Sequence, residues 1–304
     1  MPITLPQLTL REFLKRTMLA GAAVALAPSA WADSAAKLRD PHTFAFFSDT
    51  HIAADPQQRF LDVNMSDHIA ECIRQVADWP VNPAAVIVNG DLAFLMGKRG
   101  DYATFSRAIT RLRALAPLHL SLGNHDHRAH FWSAFPADAA AQKKTLHRQA
   151  AVLPAERVNW FQLDSLDVTD DTPGKLGTAQ LDWLAQELDA RRDKPAIVLV
   201  HHNPQFNDHK TGLTDTAALM ECVMSRRQVK AIVYGHTHNW QITEHQPSGI
   251  HLINLPPTSY PFHPGQPAGW VCVTLAADSA DFELRSLDPT HPDHGKAHTL
   301  KWRV

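Results

Sequence analysis

The sequence predicts an α/β fold, and three observations carry that expectation. Five short apolar runs, rich in β-branched and aromatic residues, read as buried strands. Segments with apolar residues at three- and four-residue spacing lie between them and read as amphipathic helices. Each run stops at residues able to bind metal or move a proton. Strand–helix alternation implies a largely parallel central sheet, with the functional site beyond the carboxyl ends of its strands.

Taken in order, residues 44–47 form the first run and end in Ser48-Asp49-Thr50-His51. A helical segment, 61–79, leads to the run 84–88, which ends in Asn89-Gly90-Asp91. A second helical segment, 102–115, precedes the run 118–122 and Gly123-Asn124-His125-Asp126. Residues 178–191 make the next helix, with Thr178 as a candidate N-cap, before the run 196–200 and His201-His202. A helix at 215–226 then leads to 231–234 and Gly235-His236-Thr237-His238. Beyond these, 240–244, 250–255, 270–275 and 282–287 read as further strands of a second sheet packed on the first. No repeat, linker or low-complexity stretch divides 33–304, which reads as one catalytic domain.

The polar strand ends define a candidate ligand set: Asp49, His51, Asp91, Asn124, His201, His236 and His238. Asp49 and His51, like His236 and His238, are two residues apart, and in extended chain such pairs face one side. Gly90, Gly123 and Gly235 each precede a candidate ligand, where a missing side chain leaves room near an ion. Mixed imidazole and carboxylate ligands suit Fe, Mn or Zn rather than calcium. Seven protein ligands exceed what one catalytic ion takes while keeping a site for water. They suit two ions sharing a carboxylate, and the two oxygens of Asp91 can face different metals.

The formal charge of −2 excludes the basic excess that binding a nucleic-acid duplex requires. Arg226-Arg227 and Lys143-Lys144 are isolated pairs and read as solvated surface. Cys72, Cys222 and Cys272 form no CxxC pair and read as small buried residues. The first 32 residues read as an export signal, with Arg11, Lys15 and Arg16 before an apolar stretch and Ala30-Trp31-Ala32 as the cleavage site. Residues 9–15 resemble a twin-arginine signal in which Leu10 replaces the first arginine; general secretion is the alternative. The expected product is periplasmic and soluble, without stable membrane insertion, because no later run is long enough to span a bilayer.

In this order, DTH, GD, GNHD, a strand-end His and GHTH resemble the calcineurin-like metallophosphoesterase superfamily. The resemblance implies a four-layer αββα fold, a two-sheet β-sandwich flanked by helices. It implies one metal held by Asp49, His51 and His238, another by Asn124, His201 and His236, and Asp91 bridging them. His201 rather than His202 is the implied ligand. A hydroxide bridging the two metals would attack phosphorus, while His125 protonates the leaving group and Asp126 orients His125. His127 and His130, past the motif, are expected to coordinate nothing.

Two stretches point to one branch. GNHDHRAHFWSAF, beginning at Gly123, and GKLGTAQLDWL, beginning at Gly174, resemble class III cyclic nucleotide phosphodiesterases and glycerophosphodiesterases. The expected activity is hydrolysis of a small phosphodiester. A phosphomonoesterase with the same metals is the alternative, and a catalytically silent scaffold is a third reading. Residues 128–160 could line the pocket or form an ordinary helical excursion, and Tyr260 and His263 lie on a late loop that could reach the site. GxSxG, HExxH and P-loop signatures are absent from the sequence.

Overall fold

The computed structural model describes residues 37–138 and 146–304. The expected export segment and the Lys143-Lys144 pair lie outside the described residues. The body of the chain, Leu38–Val304, is built on two six-stranded sheets.

Strand β1 (Arg39–Phe47) is followed by a short hairpin of β2 (Arg59–Phe60) and β3 (Val63–Asn64). Helix α1 (Met65–Asp78) begins four residues later than its apolar spacing predicts, because Asn64 caps it, accepting from Ser66 N and Asp67 N. Strand β4 (Asn82–Asn89) follows, then α2 (Arg99–Ala108) and α3 (Thr110–Leu115), which the sequence reads as one helix. They meet at Ile109, whose ψ of 3° kinks the axis. Strand β5 (Leu118–Ser121) and α4 (Arg128–Ala134) complete this half.

Strands β6 (Ala151–Pro154) and β7 (Asn159–Gln162) open the second half. Helix α5 (Thr178–Asp189) starts at its expected place, but Gly177 is the N-cap, at φ 78°, and Thr178 is already helical. The carboxylate of Asp215 accepts from Leu176 N and Gly177 N, so a distant residue ties down this turn. Strand β8 (Ala196–Leu199), helix α6 (Thr216–Met224) and strand β9 (Val229–Tyr234) follow. The chain closes with β10 (Gln241–His245), β11 (Ile250–Asn254), β12 (Gly269–Leu275), β13 (Ser279–Ser286) and β14 (Ala297–Lys301).

The strand order is β14-β13-β12-β1-β4-β5 in one sheet and β10-β11-β9-β8-β7-β6 in the other. This differs from one largely parallel sheet built from the five motif strands. β1, β4 and β5 pair in parallel, but β12 pairs antiparallel with β1. β8 and β9 belong to the other sheet, where β11 pairs parallel with β9 and β10 antiparallel with β11. The late strands therefore divide between the sheets instead of forming their own. The two-sheet sandwich flanked by helices is observed, and the metal-site motifs straddle its seam.

Three apolar clusters define the four layers. Between the sheets, Phe44, Phe46, Ile87, Trp160, Leu199 and Val233 interlock. Outside the first sheet, Ala45, Phe47, Val86 and Val88 pack with Ile69, Ile73 and Phe105 of α1 and α2. Outside the second, Val198, Val200 and Ile232 pack with Leu184, Leu188, Leu219 and Val223 of α5 and α6. Alternate side chains thus enter different cores, which is why these strands read as continuous apolar runs. Cys72 and Cys272 are buried, Cys222 is half-buried, and all three are free thiols.

Trp160 sits at the centre of the seam, with its ring 5.1 Å from Phe44 and 5.2 Å from Phe46. Trp160→Ala is expected to cost about 3–5 kcal/mol, since both sheets lose a shared wedge that neither can refill. Urea unfolding followed by circular dichroism measures this.

Candidate metal centre

The carboxyl ends of β1, β4, β5, β8 and β9 converge at the edge of the seam. The loop after β1 is tied to the loop after β4 by Asp49 N donating to Gly90 O and His51 N to Asp91 O. The late loop after β11 joins them, with Thr258 N donating to Ser48 O and Ser259 N to Asp49 O. Gly235 N donates to His201 O, which connects the ends of β9 and β8.

These hydrogen bonds hold an unusual backbone. Asp49, His51, Asp91, His236 and His238 all have positive φ, between 47° and 70°. Non-glycine residues seldom adopt that conformation, and when they do the surrounding structure must enforce it. The paired ligands therefore face one point because the chain turns sharply through left-handed geometry. Their i, i+2 spacing is therefore not that of extended chain.

The candidate ligands meet in three groups. Asp49, His51 and His238 offer donor atoms within 4.8 Å of one another, as do Asp91, His201 and His236, and a third group of His51, Asp91 and His125 joins these two and sets His125 beside the ligands. Asn124 Oδ1 lies 3.0 Å from His236 Nδ1, which brings Asn124 to the second group. Asp91 stands between the groups, with Oδ2 3.2 Å from His201 Nε2 and 3.6 Å from His51 Nε2. His202 turns away and pairs its Nδ1 with Ser165 Oγ at 2.7 Å. His127 and His130 stack on each other and serve α4, His127 accepting from His130 N.

The donor chemistry fits a metal cation. His201 Nδ1 donates to Asn89 O, and His238 Nδ1 donates to Tyr260 O. His236 instead donates from Nε2 to Thr211 O. Each bond leaves the other ring nitrogen as the one turned toward the site, the arrangement that orients ligating imidazoles. His51 Nε2 and His238 Nε2 face each other at 3.0 Å, and buried His201 Nε2 has no hydrogen-bond partner. A shared cation accounts for nitrogen lone pairs directed at one another and at carboxylates.

The electrostatics make the same demand. Burial opposes ionisation of Asp49, but His238 and His201 outweigh it and hold its carboxyl at about 2. Burial likewise disfavours charge on His201, yet Asp91 and Asp49 push it up to about 10. Burial, chiefly, lowers His51 to about 3 and His236 to about 4. Two buried carboxylates thus require positive charge at this point, and a metal ion can supply it.

The expected support of His125 by Asp126 is not found. Asp126 is fully buried, and its carboxylate accepts from Leu92 N, Ala93 N, Gly123 N and the Tyr102 hydroxyl. Its four bonds clip the loop carrying Asp91 to the loop carrying Asn124. Burial, with Asp91 nearby, raises its carboxyl to about 7. The carboxylate beside His125 belongs to Asp170, with Oδ1 3.2 Å from His125 Nδ1. Asp170 lies in a polar stretch with neither periodicity nor motif, so nothing in the sequence singled it out.

A cleft of about 510 Å³ opens over the cluster, lined by Asp91, Asn124, His125, Asp170, His236 and His263 among others. The late loop does reach it. Tyr260 packs its ring 5.2 Å from that of His51, and half-exposed Phe262 stacks on His238 at 4.0 Å. Phe262 and His263 of that loop line the cleft, as do Thr172 and Thr211, which no motif or spacing in the sequence singled out.

The chain is similar to known proteins in sequence and in fold. The profile of the family described as calcineurin-like phosphoesterase matches residues 42–240. A 3',5'-cyclic adenosine monophosphate phosphodiesterase, CpdA, from Pseudomonas aeruginosa is 27% identical over 247 residues, spanning 80% of this chain and 80% of that protein. A cAMP/cGMP dual specificity phosphodiesterase from Mycobacterium tuberculosis is 28% identical over 213 residues, spanning 66% of this chain and 63% of that protein. In fold, the chain is similar to a dimetal phosphatase from Danio rerio, with a TM-score of 0.68 at 16% identity, covering 86% of this chain and 99% of the other.

Gly123 leaves no room for a side chain beside the centre. A Cβ there would collide with Asp91 and with His201 Nε2. Gly123→Ala is expected to lower bound metal per chain, measured by mass spectrometry after dialysis, with the far-ultraviolet circular dichroism spectrum unchanged.

Proposed function

The chain belongs to the calcineurin-like phosphoesterase family, and on that premise we propose that it hydrolyses small phosphodiesters, cyclic nucleotides foremost, at a two-metal centre. It is a metal-dependent phosphoric ester hydrolase, with phosphodiesterase activity favoured by its relatives. Asp49, His51 and His238 would hold one ion and Asn124, His201 and His236 the other, with Asp91 shared between them. Fe, Mn and Zn all suit this donor set. When bound, the two ions supply Lewis acidity toward the phosphoryl oxygens and an activated water.

The protein's own residues supply the rest. His125 N donates to Asp91 Oδ1 at 2.8 Å, which fixes the His125 loop against the shared carboxylate. His125 Nδ1 pairs with Leu95 O at 3.0 Å, and Asp170 Oδ1 lies 3.2 Å from the same nitrogen. That leaves Nε2 as the nitrogen able to give a proton to a departing alkoxide.

The observation that carries the diester reading is the charge of the cleft. Among the described residues lining it there is no Arg or Lys, while Asp170 adds an anionic group. A phosphomonoester dianion is usually clamped by guanidinium or ammonium groups. A diester carries one negative charge and asks for less. The volume suits a small ligand rather than a duplex. Export to the periplasm belongs to the same proposal, and cell fractionation tests it.

Apo-protein reconstituted with Mn, Fe or Zn is expected to hydrolyse bis-p-nitrophenyl phosphate and cyclic AMP with higher kcat/KM than p-nitrophenyl phosphate. The opposite preference would overturn the diester reading. His125→Ala is expected to lower kcat on cyclic AMP by roughly 10²–10⁴-fold with metal content retained. Loss of metal in that variant would instead make His125 a ligand.

A further inference from the structure

Asp170 has no place in the motifs, yet the fold holds it against His125 with many constraints. Its φ of 65° is left-handed, a conformation that Asp tolerates better than most residues. Its backbone N–H donates to Asn124 O at 2.7 Å, and Thr169 Oγ1 donates to Asp126 O at 2.8 Å. At the start of α4, Arg128 grips the base of the Asp170 segment. It donates Nε and Nη2 to the buried Asp164 carboxylate, and Nη2 to Leu166 O. Residues 124, 126 and 128 thus each reach the segment from Asp164 to Asp170. From the other side, Gln180 brackets Asp164, accepting from its N–H and donating to its carbonyl. Arg148 donates a second bond to Leu166 O at 2.6 Å.

So many ties, to so short a stretch, place one carboxylate oxygen 3.2 Å from His125 Nδ1. We infer that Asp170 is a positioning residue for His125: its carboxylate stands against the Nδ1–H that Leu95 O accepts, fixes the ring plane and keeps Nε2 aimed into the cleft. The inference rests on the reading of His125 as proton donor. In the step concerned, a water oxygen bonds to phosphorus as the P–O bond to the leaving group breaks, and the departing oxygen takes the proton from Nε2, while the Nδ1–H stays on Leu95 O beside the Asp170 carboxylate. A carboxylate in this place does for the donor what a hydrogen-bonded partner does for a ligating imidazole, where its loss reduces activity about 10–100-fold. It also gives a purpose to the glutamine of the GKLGTAQLDWL stretch, which anchors this segment and makes no contribution to the metal cluster.

The test uses aryl methyl phosphates with phenol leaving groups of graded acidity, on the metal-loaded enzyme. Proton donation matters most for poor leaving groups and least for good ones. His125→Ala is expected to steepen the dependence of kcat on leaving-group acidity. Asp170→Asn, which keeps size and tolerance of positive φ, should steepen it in the same direction. Its kcat on the poorest leaving groups should fall about 10–100-fold and stay within about threefold on the best, with KM and metal content unchanged. The double variant should lose no more than His125→Ala alone, because both act through one group. A uniform loss across the series, a loss of metal, or an additive double variant would assign Asp170 a structural role and overturn the inference while leaving His125 as donor. A flat response of His125→Ala would overturn the donor reading and the inference together.

Discussion

Two carboxylates buried side by side are the constraint on which the rest of this structure depends. Asp49 and Asp91 sit at the open edge of the seam between two sheets, where water is excluded and like charges repel. They are tolerable only in the presence of compensating positive charge. His201, raised to about 10 between them, is a measure of that need. Metal ions would meet it more fully, and hydrogen bonds to Asn89 O, Thr211 O and Tyr260 O leave one ring nitrogen each of His201, His236 and His238 to share the task. The site is thus a demand for cations built into the fold, and ionic attraction is set against backbone strain at five of its residues.

The architecture explains how such strain is borne. Apolar clusters cover both faces of each sheet, so its central strands are held by packing. At their carboxyl ends the chain turns, and there it is stitched loop to loop by backbone hydrogen bonds. Asp126 is the strongest of these clips, since one buried carboxylate accepts from three N–H groups and a phenol. Because the seam brings together strands from both sheets, neither sheet alone could form the centre. β1, β4 and β5 supply Asp49, His51, Asp91 and Asn124; β8 and β9 supply His201, His236 and His238.

The candidate ligands could be read from sequence because a buried strand ending in Asp or His is chemically conspicuous. The layered α/β class was legible for a related reason: apolar runs without alternation mean strands covered on both faces. What misled was orientation. Spacing of two suggested extended chain, whereas the structure uses positive φ at both members of each pair. Adjacency in GNHD suggested that Asp126 serves His125, but neighbouring side chains in a tight loop point apart. The partner carboxylate comes from Asp170, more than forty residues away.

The sequence by itself pointed to the candidate ligands, to most of the strands and helices that flank them, and to the strand ends as the place where they gather. These are local properties, set by side-chain type and by periodicity along the chain. The tertiary structure alone decided which sheet each strand joins, how the late strands divide, and which carboxylate faces which histidine. Strand partners are chosen by packing against elements distant in sequence, and a single residue's φ is set by hydrogen bonds from other loops. His125 shows the division most clearly. Its identity is written in the motif, but its surroundings exist only once β5, the Asp164–Asp170 segment and the glutamine of α5 have come together.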